Sequence, residues 1–277
     1  MWGASVKEKI YTTVIAGKSF DLWISDEPGF ISECVEHHIP IIEYTHAEEN
    51  GSKEYPDDTY SSVSSSYLTP WAADSVEAVK NDPEYMEKVV RRFAGVPLKV
   101  AETAELTIRE LCEGDAESVE RIFSEGSASG WTDIWSGDKE DRRKALRDYC
   151  SLHYDLYGYG YYGVEVKEDG VLAGIIGFRE YETDFAVNKS VGQVTKRDDY
   201  RVFVIKGADT EGTPLELGYI MAEKYRRKGY CVAAGLELIK RTPGDVYIVA
   251  DINNIPGIKA AEKLSGQTGI FASDSSA

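Results

Sequence analysis

The segment 215–241 constrains this chain most. Leu215-Glu216-Leu217-Gly218-Tyr219-Ile220-Met221 reads as a strand and runs through Ala222-Glu223-Lys224-Tyr225 into Arg226-Arg227-Lys228-Gly229-Tyr230-Cys231. A helix over Tyr230–Arg241 starts there, so strand passes to helix across a short basic turn. Lys224, Arg226, Arg227 and Lys228 put four bases within five positions, in a 277-residue chain with 48 acids, 31 bases and a net charge of −17. A helix start leaves its first N–H groups without intrahelical partners and carries the positive end of the dipole. Added bases suit such a site to a pyrophosphate, and Gly229 lets the backbone approach it. In isolation, the segment would read as a helix start with solvated bases. Here a strand precedes it, and a buried strand, Val246–Ala250, and a helix over roughly Ile255–Leu264 follow.

Upstream, Leu106–Arg109 alternates as a strand, and a helix from Gly114–Glu117 carries Val119, Ile122 and Phe123 on one stripe. Lys139–Tyr149 reads as helical. Tyr161–Val166 and Val171–Phe178 flank Asp169-Gly170, a strong hairpin signal, and Val202–Ile205 is a further strand. Residues 1–100 form a different region. Tyr11–Ala16 and Phe20–Ile24 are β-prone runs around Gly17-Lys18-Ser19; Phe30, Ile31, Cys34 and Val35 follow at helical spacing, then the strand candidate Ile39–Tyr44. His46–Ser66 reads as loop. Asp82-Pro83-Glu84 opens a helix running to about Phe93, and 98–104 reads as a connector. The expected division is a small α/β domain over 1–100 and a second domain over 104–277.

Charge and composition exclude several partners. A surface with this acidic surplus repels phosphodiester backbones, so no nucleic-acid partner is expected. No apolar run approaches the roughly 20 residues that span a bilayer, and the first residues lack a signal peptide's apolar stretch. Cys34, Cys112, Cys150 and Cys231 are far apart and show no paired-ligand spacing. These features predict a soluble, cytoplasmic protein. Gly17-Lys18-Ser19 is no P-loop, because Thr12 stands where the first glycine belongs. His37-His38 with His46 reads as polar surface rather than a metal site, so no metal is expected.

The 215–264 segment resembles the GNAT superfamily of acyl-CoA-dependent N-acyltransferases, and within it the ribosomal-protein N-terminal alanine acetyltransferase branch. Arg226, Gly229 and Cys231 occupy the defined positions of its Arg/Gln-x-x-Gly-x-Gly/Ala pyrophosphate loop. Asp251-Ile252-Asn253-Asn254 through Glu262-Lys263-Leu264 looks like the family's asparagine-led last helix, and Thr107–Glu110 fits its first strand. The resemblance covers about 104–270. It implies an α/β (α+β) fold: a mixed sheet with helices on both faces, split near the end of Leu215–Met221. The preceding region looks loosely like a small Rossmann-like domain of haloacid-dehalogenase or receiver type, with Asp26 past a strand but without paired aspartates.

The resemblance further implies acetyl-CoA as cosubstrate, held by Ile220, Met221, Arg226, Arg227, Lys228, Gly229, Tyr230, Cys231 and Asn254. It suggests Glu216 as general base through water and the Met221 N–H as the donor polarising the thioester; a solvent-facing strand carboxylate is the other reading of Glu216. Tyr154, Tyr157, Tyr159, Tyr161 and Tyr162 precede the second strand, where relatives build an acceptor wall. Three departures stand out. Ala261 replaces a thiolate-protonating tyrosine, Gly257 replaces a serine, and Ser265-Gly266 replaces Gly-Phe, with little chain left for a final hairpin. The implied function is N-acetyltransfer to a primary amine, on a small molecule or a protein N-terminus. The alternative is a catalytically decayed acyl-CoA-binding regulator. A third reading is hydrolysis or phosphotransfer by the N-terminal domain, with Asp26 alone behind it, and a homodimer is compatible with each reading.

Overall fold

The structure is a computed structural model. It describes residues 5–44, 68–71, 76–125, 139–181, 200–205 and 213–267. The chain divides into two compact units: Met1–Leu98 with Cys112–Gly114 and Asp133–Gly158, and Lys99–Leu111 with Asp115–Thr132 and Tyr159–Ala277.

In the first unit β1 (Lys7–Ile15) and β2 (Lys18–Ser25) form an antiparallel hairpin. Its turn is Ala16-Gly17, both at positive φ (50° and 79°), one residue earlier than the Gly17–Ser19 break suggests. Helix α1 (Pro28–Glu36) then crosses to β3 (Ile41–Tyr44), which pairs parallel with β2, and β4 (Leu68–Trp71) pairs parallel with β3. Leu22, Ile24 and Ile42 pack with Val79 of α2 (Val76–Lys80) and with Met86, Val89 and Val90 of α3 (Pro83–Phe93). Ile31 and Cys34 of α1 pack separately with Ile41. Pro83 opens α3, and the Asp82 side chain accepts the Tyr85 N–H at 2.8 Å. Asp26 serves structure: its Oδ1 accepts the Val6 N–H (2.8 Å) and the Ser5 hydroxyl (2.9 Å), pinning the start of β1 to the end of β2.

The second unit holds a seven-stranded sheet in the order β5-β6-β7-β8-β10-β11-β9. Its strands are β5 (Lys99–Glu102), β6 (Leu106–Glu110), β7 (Tyr161–Val166), β8 (Val171–Glu180), β9 (Tyr200–Ile205), β10 (Leu215–Met221) and β11 (Val246–Asp251). All pairings are antiparallel except β10–β11, which makes the sheet mixed. The β7–β8 turn closes with Gly170 at φ 61°, its N–H donating to the Val166 carbonyl. Leu172–Phe178 are all buried, as expected of a strand covered on both faces. Helix α4 (Ala116–Ser124) buries Val119, Ile122 and Phe123; α6 (Tyr230–Ile239) and α7 (Ile255–Gln267) pack closely where a Cβ on Gly235 would lie 2.9 Å from Leu264. The Arg109 guanidinium grips the Asp115 carboxylate through two nitrogens, at 2.8 and 2.9 Å, and holds β6 to the start of α4.

Three sequence expectations shift. The 98–104 connector contains β5, because Lys99, Ala101 and Glu102 find partners on β6. The helix at Lys139 extends past Tyr149 to Leu156 as α5, and it groups with the first unit. Helix α6 ends at Ile239, two residues early, with the Arg241 N–H turning back onto the Leu238 carbonyl.

Candidate active site

Strand β10 pairs with β8 along its whole length, Leu215 opposite Glu180 through Met221 opposite Gly174. Its pairing with β11 stops after Leu215–Val246 and Glu216–Tyr247. Beyond Glu216 the two strands part. The Leu215 N–H donates to Asp245 beside β11, and the Ala222 N–H donates to Ala173 on β8. Backbone groups alternate sides along a strand, so the N–H groups of Leu217, Tyr219 and Met221 all point toward β11. Those of Tyr219 and Met221 lie where β11 has departed and therefore face the opening.

A cavity of about 170 Å³ passes through this opening, bordered by Tyr161, Arg179 and Glu216 at one side and by Tyr219, Asn254 and Gly257 at the other. Alternation puts Glu216 and Gly218 on one sheet face and Leu217 and Tyr219 on the other. The cavity thus connects the two faces.

Past Met221, Glu223–Tyr225 make one 3-10 turn, and the loop then twists through Arg227 (φ 62°) and Gly229 (φ 84°) into α6. The Arg226 side chain folds back: Nε donates to the Met221 carbonyl at 2.9 Å and Nη2 to the Glu125 carbonyl at 2.7 Å. Tyr225 donates its hydroxyl to Asp169 at 2.7 Å, and Lys224 reaches the same oxygen at 3.3 Å. These two contacts, the Tyr225 hydroxyl first, hold the Asp169 carboxyl below the usual range. All four bases are exposed, but Lys224 and Arg226 tie down the loop through these bonds, and Lys228 lies over the Tyr225 and Tyr230 rings, 5.4 and 5.8 Å from their centroids. The first hydrogen bond of α6 runs from Ala233 N–H to the Gly229 carbonyl, so the amides of Tyr230, Cys231 and Val232 are helix-start donors, and no side chain caps them. A Cβ on Gly229 would meet nothing within 4 Å, so the demand for glycine comes from its φ, not from crowding within the protein. Burial raises the Cys231 thiol above its ordinary pKa.

Asn254 caps α7, its Oδ1 accepting the Gly257 N–H at 3.0 Å. A Cβ on Gly257 would come within 2.5 Å of the Asn254 amide nitrogen, so glycine in place of the family serine gives this cap its room. Ala261 is fully buried on the inner face of α7. Across the opening, the Tyr219 hydroxyl donates to the Gly257 carbonyl at 2.9 Å, and burial, with Cys231 adding, raises its pKa. Sequence reasoning missed Tyr219. Its signal was parity with Met221, two residues on along the same strand.

Glu216 is the last β10 residue paired on both sides, opposite Arg179 on β8 and Tyr247 on β11. Arg179 Nη2 reaches both Glu216 oxygens, at 3.1 and 3.0 Å. Tyr247 stacks on Tyr181 with centroids 4.1 Å apart. Burial first, then Tyr247 and Glu216, push the Tyr181 hydroxyl up to about 12. Within the tyrosine cluster, Tyr161 borders the cavity, whereas Tyr154 and Tyr157 belong to the first unit. His37 and His38 are exposed at the end of α1, and His46 lies outside the described residues. Among the described residues no three His, Cys, Asp or Glu side chains cluster to hold a metal ion.

The sequence model described as acetyltransferase (GNAT) domain matches residues 105–267, more than half of the chain. The chain belongs to the GNAT acetyltransferase family. It is an acyltransferase of a family whose acyl donor is acetyl-CoA. Similar solved structures include a GNAT acetyltransferase from Bacillus anthracis (17% identity, 59% of this chain and 80% of that one, TM-score 0.39). Another is the ribosomal-protein-S5-alanine acetyltransferase from Vibrio fischeri (14%, 59% and 80%, TM-score 0.39). The microcin C7 self-immunity acetyltransferase, solved with acetyl-CoA and AMP, is a third (12%, 58% and 78%, TM-score 0.40). No functionally curated protein sequence matches the chain. No helix among the described residues is long and apolar enough to cross a membrane.

Proposed function

We propose that the protein transfers the acetyl group of acetyl-CoA directly to the primary amine of a separate acceptor. The observation that carries this is the cavity through the β10–β11 opening, which joins the Asn254 side to the Glu216 side past the inward N–H groups of Tyr219 and Met221.

In this reading the amides at the start of α6, from Gly229 to Cys231, hold the pyrophosphate, with Arg227 and Lys228 adding charge. Ile220, Met221 and Asn254 line the path of the pantetheine arm. The Met221 N–H, seconded by that of Tyr219, stabilises the negative oxygen that develops at the thioester carbonyl. Glu216, through water, takes the proton that the acceptor's ammonium must lose before nitrogen can attack. A carbon–nitrogen bond forms and the carbon–sulfur bond breaks. Nitrogen gives up two protons in all; one ends on sulfur and one is released.

The second unit carries this chemistry, and the first unit is structural or ligand-sensing, since Asp26 is engaged in backbone pinning. None of the four cysteines is in a disulfide, which supports a reducing, cytoplasmic setting. The burial of Ala261 keeps a second reading in view, a regulator that binds acyl-CoA without turnover. Thiol release from acetyl-CoA across a panel of amines, with calorimetric acetyl-CoA titration alongside, separates them. Turnover on any amine supports the enzyme; tight binding with no turnover supports the regulator.

A further inference from the structure

Resting on the proposed acetyl transfer, we infer that Tyr219 is a positioning residue for the donor's pantetheine arm: through the Gly257 carbonyl it fixes the first turn of α7 and so aims the Asn254 amide nitrogen into the cavity. The inference starts from the Asn254 side chain. The Gly257 N–H can donate only to oxygen, so its 3.0 Å bond to Oδ1 settles which end of the amide faces the helix and turns Nδ2 away from it. Nδ2 bonds no group among the described residues, and Asn254 is exposed and borders the cavity. The cavity then carries donors on both walls: the Tyr219 and Met221 amides on β10, and Nδ2 on the α7 side. A pantetheine arm, with two amide carbonyls to accept from them, suits such a slot.

The aim of a short side chain is only as firm as the turn that carries it. From β11, the Asp251 carbonyl accepts the Asn254 N–H at 2.9 Å, and Asp251 Oδ1 accepts the Asn253 N–H at 2.7 Å. From β10, the Tyr219 hydroxyl donates to the Gly257 carbonyl at 2.9 Å, across the gap left where the two strands part after Glu216. Gly257 is thereby held at both ends, its N–H by Asn254 and its carbonyl by Tyr219. A carbonyl has two lone pairs, so this bond leaves the helix's own hydrogen bond intact. Burial keeps the Tyr219 hydroxyl protonated and therefore a donor at neutral pH. Glycine is required for the arrangement. A Cβ on Gly257 would lie 2.5 Å from Nδ2 and 2.8 Å from Cγ, so the Asn254 side chain occupies the space that Cβ would take. Without the Tyr219 hydroxyl, Gly257 keeps only one of its two ties, and part of the binding energy goes into re-ordering the donor.

The test is calorimetric titration of the full chain with acetyl-CoA and with adenosine 3′,5′-bisphosphate, the nucleotide end of coenzyme A without its pantetheine arm. Tyr219→Phe should weaken acetyl-CoA binding by about three- to tenfold, the range for one neutral hydrogen bond, and leave the bisphosphate at wild-type affinity. A merely structural role would move both ligands or neither. Asn254→Ala should show the same selective loss, and Tyr219→Phe added to it should cost nothing further, because both act through one donor. Unchanged acetyl-CoA affinity in Tyr219→Phe overturns the inference, and so does an equal loss for both ligands or an additive double variant. Each of those results leaves wild-type acetyl-CoA binding, and with it the proposed transfer, standing. Wild-type protein that binds no acetyl-CoA overturns both. If the bisphosphate binds too weakly to titrate, the double-variant cycle decides alone. If Tyr219→Phe does not fold, Gly257→Ala takes its place, with the same arm-selective loss expected as its Cβ displaces the Asn254 amide; unchanged affinity there overturns the inference.

Discussion

In the proposed acetyl transfer, donor binding turns on Gly229. Its φ of 84° puts it in the left-handed region, where a Cβ costs about 1–2 kcal/mol, although the space around it is open. Gly229→Ala should therefore weaken acetyl-CoA binding, while Gly229→Glu, which adds a negative charge at the helix start, should abolish it. Arg227 is exposed, and an exposed base contributes only tenths to about 1 kcal/mol, so Arg227→Ala should weaken binding modestly. Calorimetric titration of the three variants decides; equal, near-wild-type affinities would place the phosphates elsewhere. Tyr219 and Tyr181 give a second test. Burial raises both hydroxyls, Tyr181 to about 12, so the neutral form is favoured in the folded state. Their contribution to stability is fully present below the unfolded tyrosine value of about 10 and is lost as pH rises above it through the folded values. Urea midpoints should fall above pH 10, and Tyr219→Phe should fall less steeply. An unchanged slope in that variant would remove Tyr219 from the account.

At the level of elements, the loop between β10 and α6 is held by side chains that a motif reading assigns to phosphate. Arg226 bonds the Met221 and Glu125 carbonyls, and Lys224 with Tyr225 bonds Asp169 on the β7–β8 turn. Arg226→Met removes both carbonyl contacts, each worth on the order of 1 kcal/mol. It should reduce acetyl-CoA affinity more than Arg227→Ala does and lower the thermal midpoint, which Arg227→Ala should leave alone. Parallel melting curves and titrations would show it; matching losses in the two variants would mean that Arg226 contributes charge only.

For the whole molecule, the division into units does not follow a single cut in the chain. Helix α5 groups with residues 1–98, where Arg92 lies 5.9 Å from the Tyr154 ring centroid. A fragment ending at Leu98 lacks that helix, and its β4 loses the cover α5 provides. Such a fragment should unfold without a cooperative transition, and joining 133–158 to it through a flexible linker should restore one. A sharp transition in the 1–98 fragment alone would show that α5 is dispensable.

What the sequence determined by itself is what neighbouring residues decide between them. The Asp169-Gly170 turn, the Asp82-Pro83 helix start, the strand-to-helix passage at 215–230 and the last helix are local, and each was legible from residue type and spacing; that Asn254 leads that helix came from the family resemblance. What only the tertiary structure decided depends on partners far along the chain. Lys99–Glu102 is too short to declare itself a strand until β6 offers hydrogen bonds. That Arg226 turns inward rather than outward is fixed by the carbonyl of Glu125, about a hundred residues away. The separation of β10 from β11 after Glu216 is likewise invisible in either strand's own pattern, because it is a relation between two strands. Yet that separation turns the Tyr219 and Met221 amides toward open space, and it creates the cavity on which the proposed transfer depends.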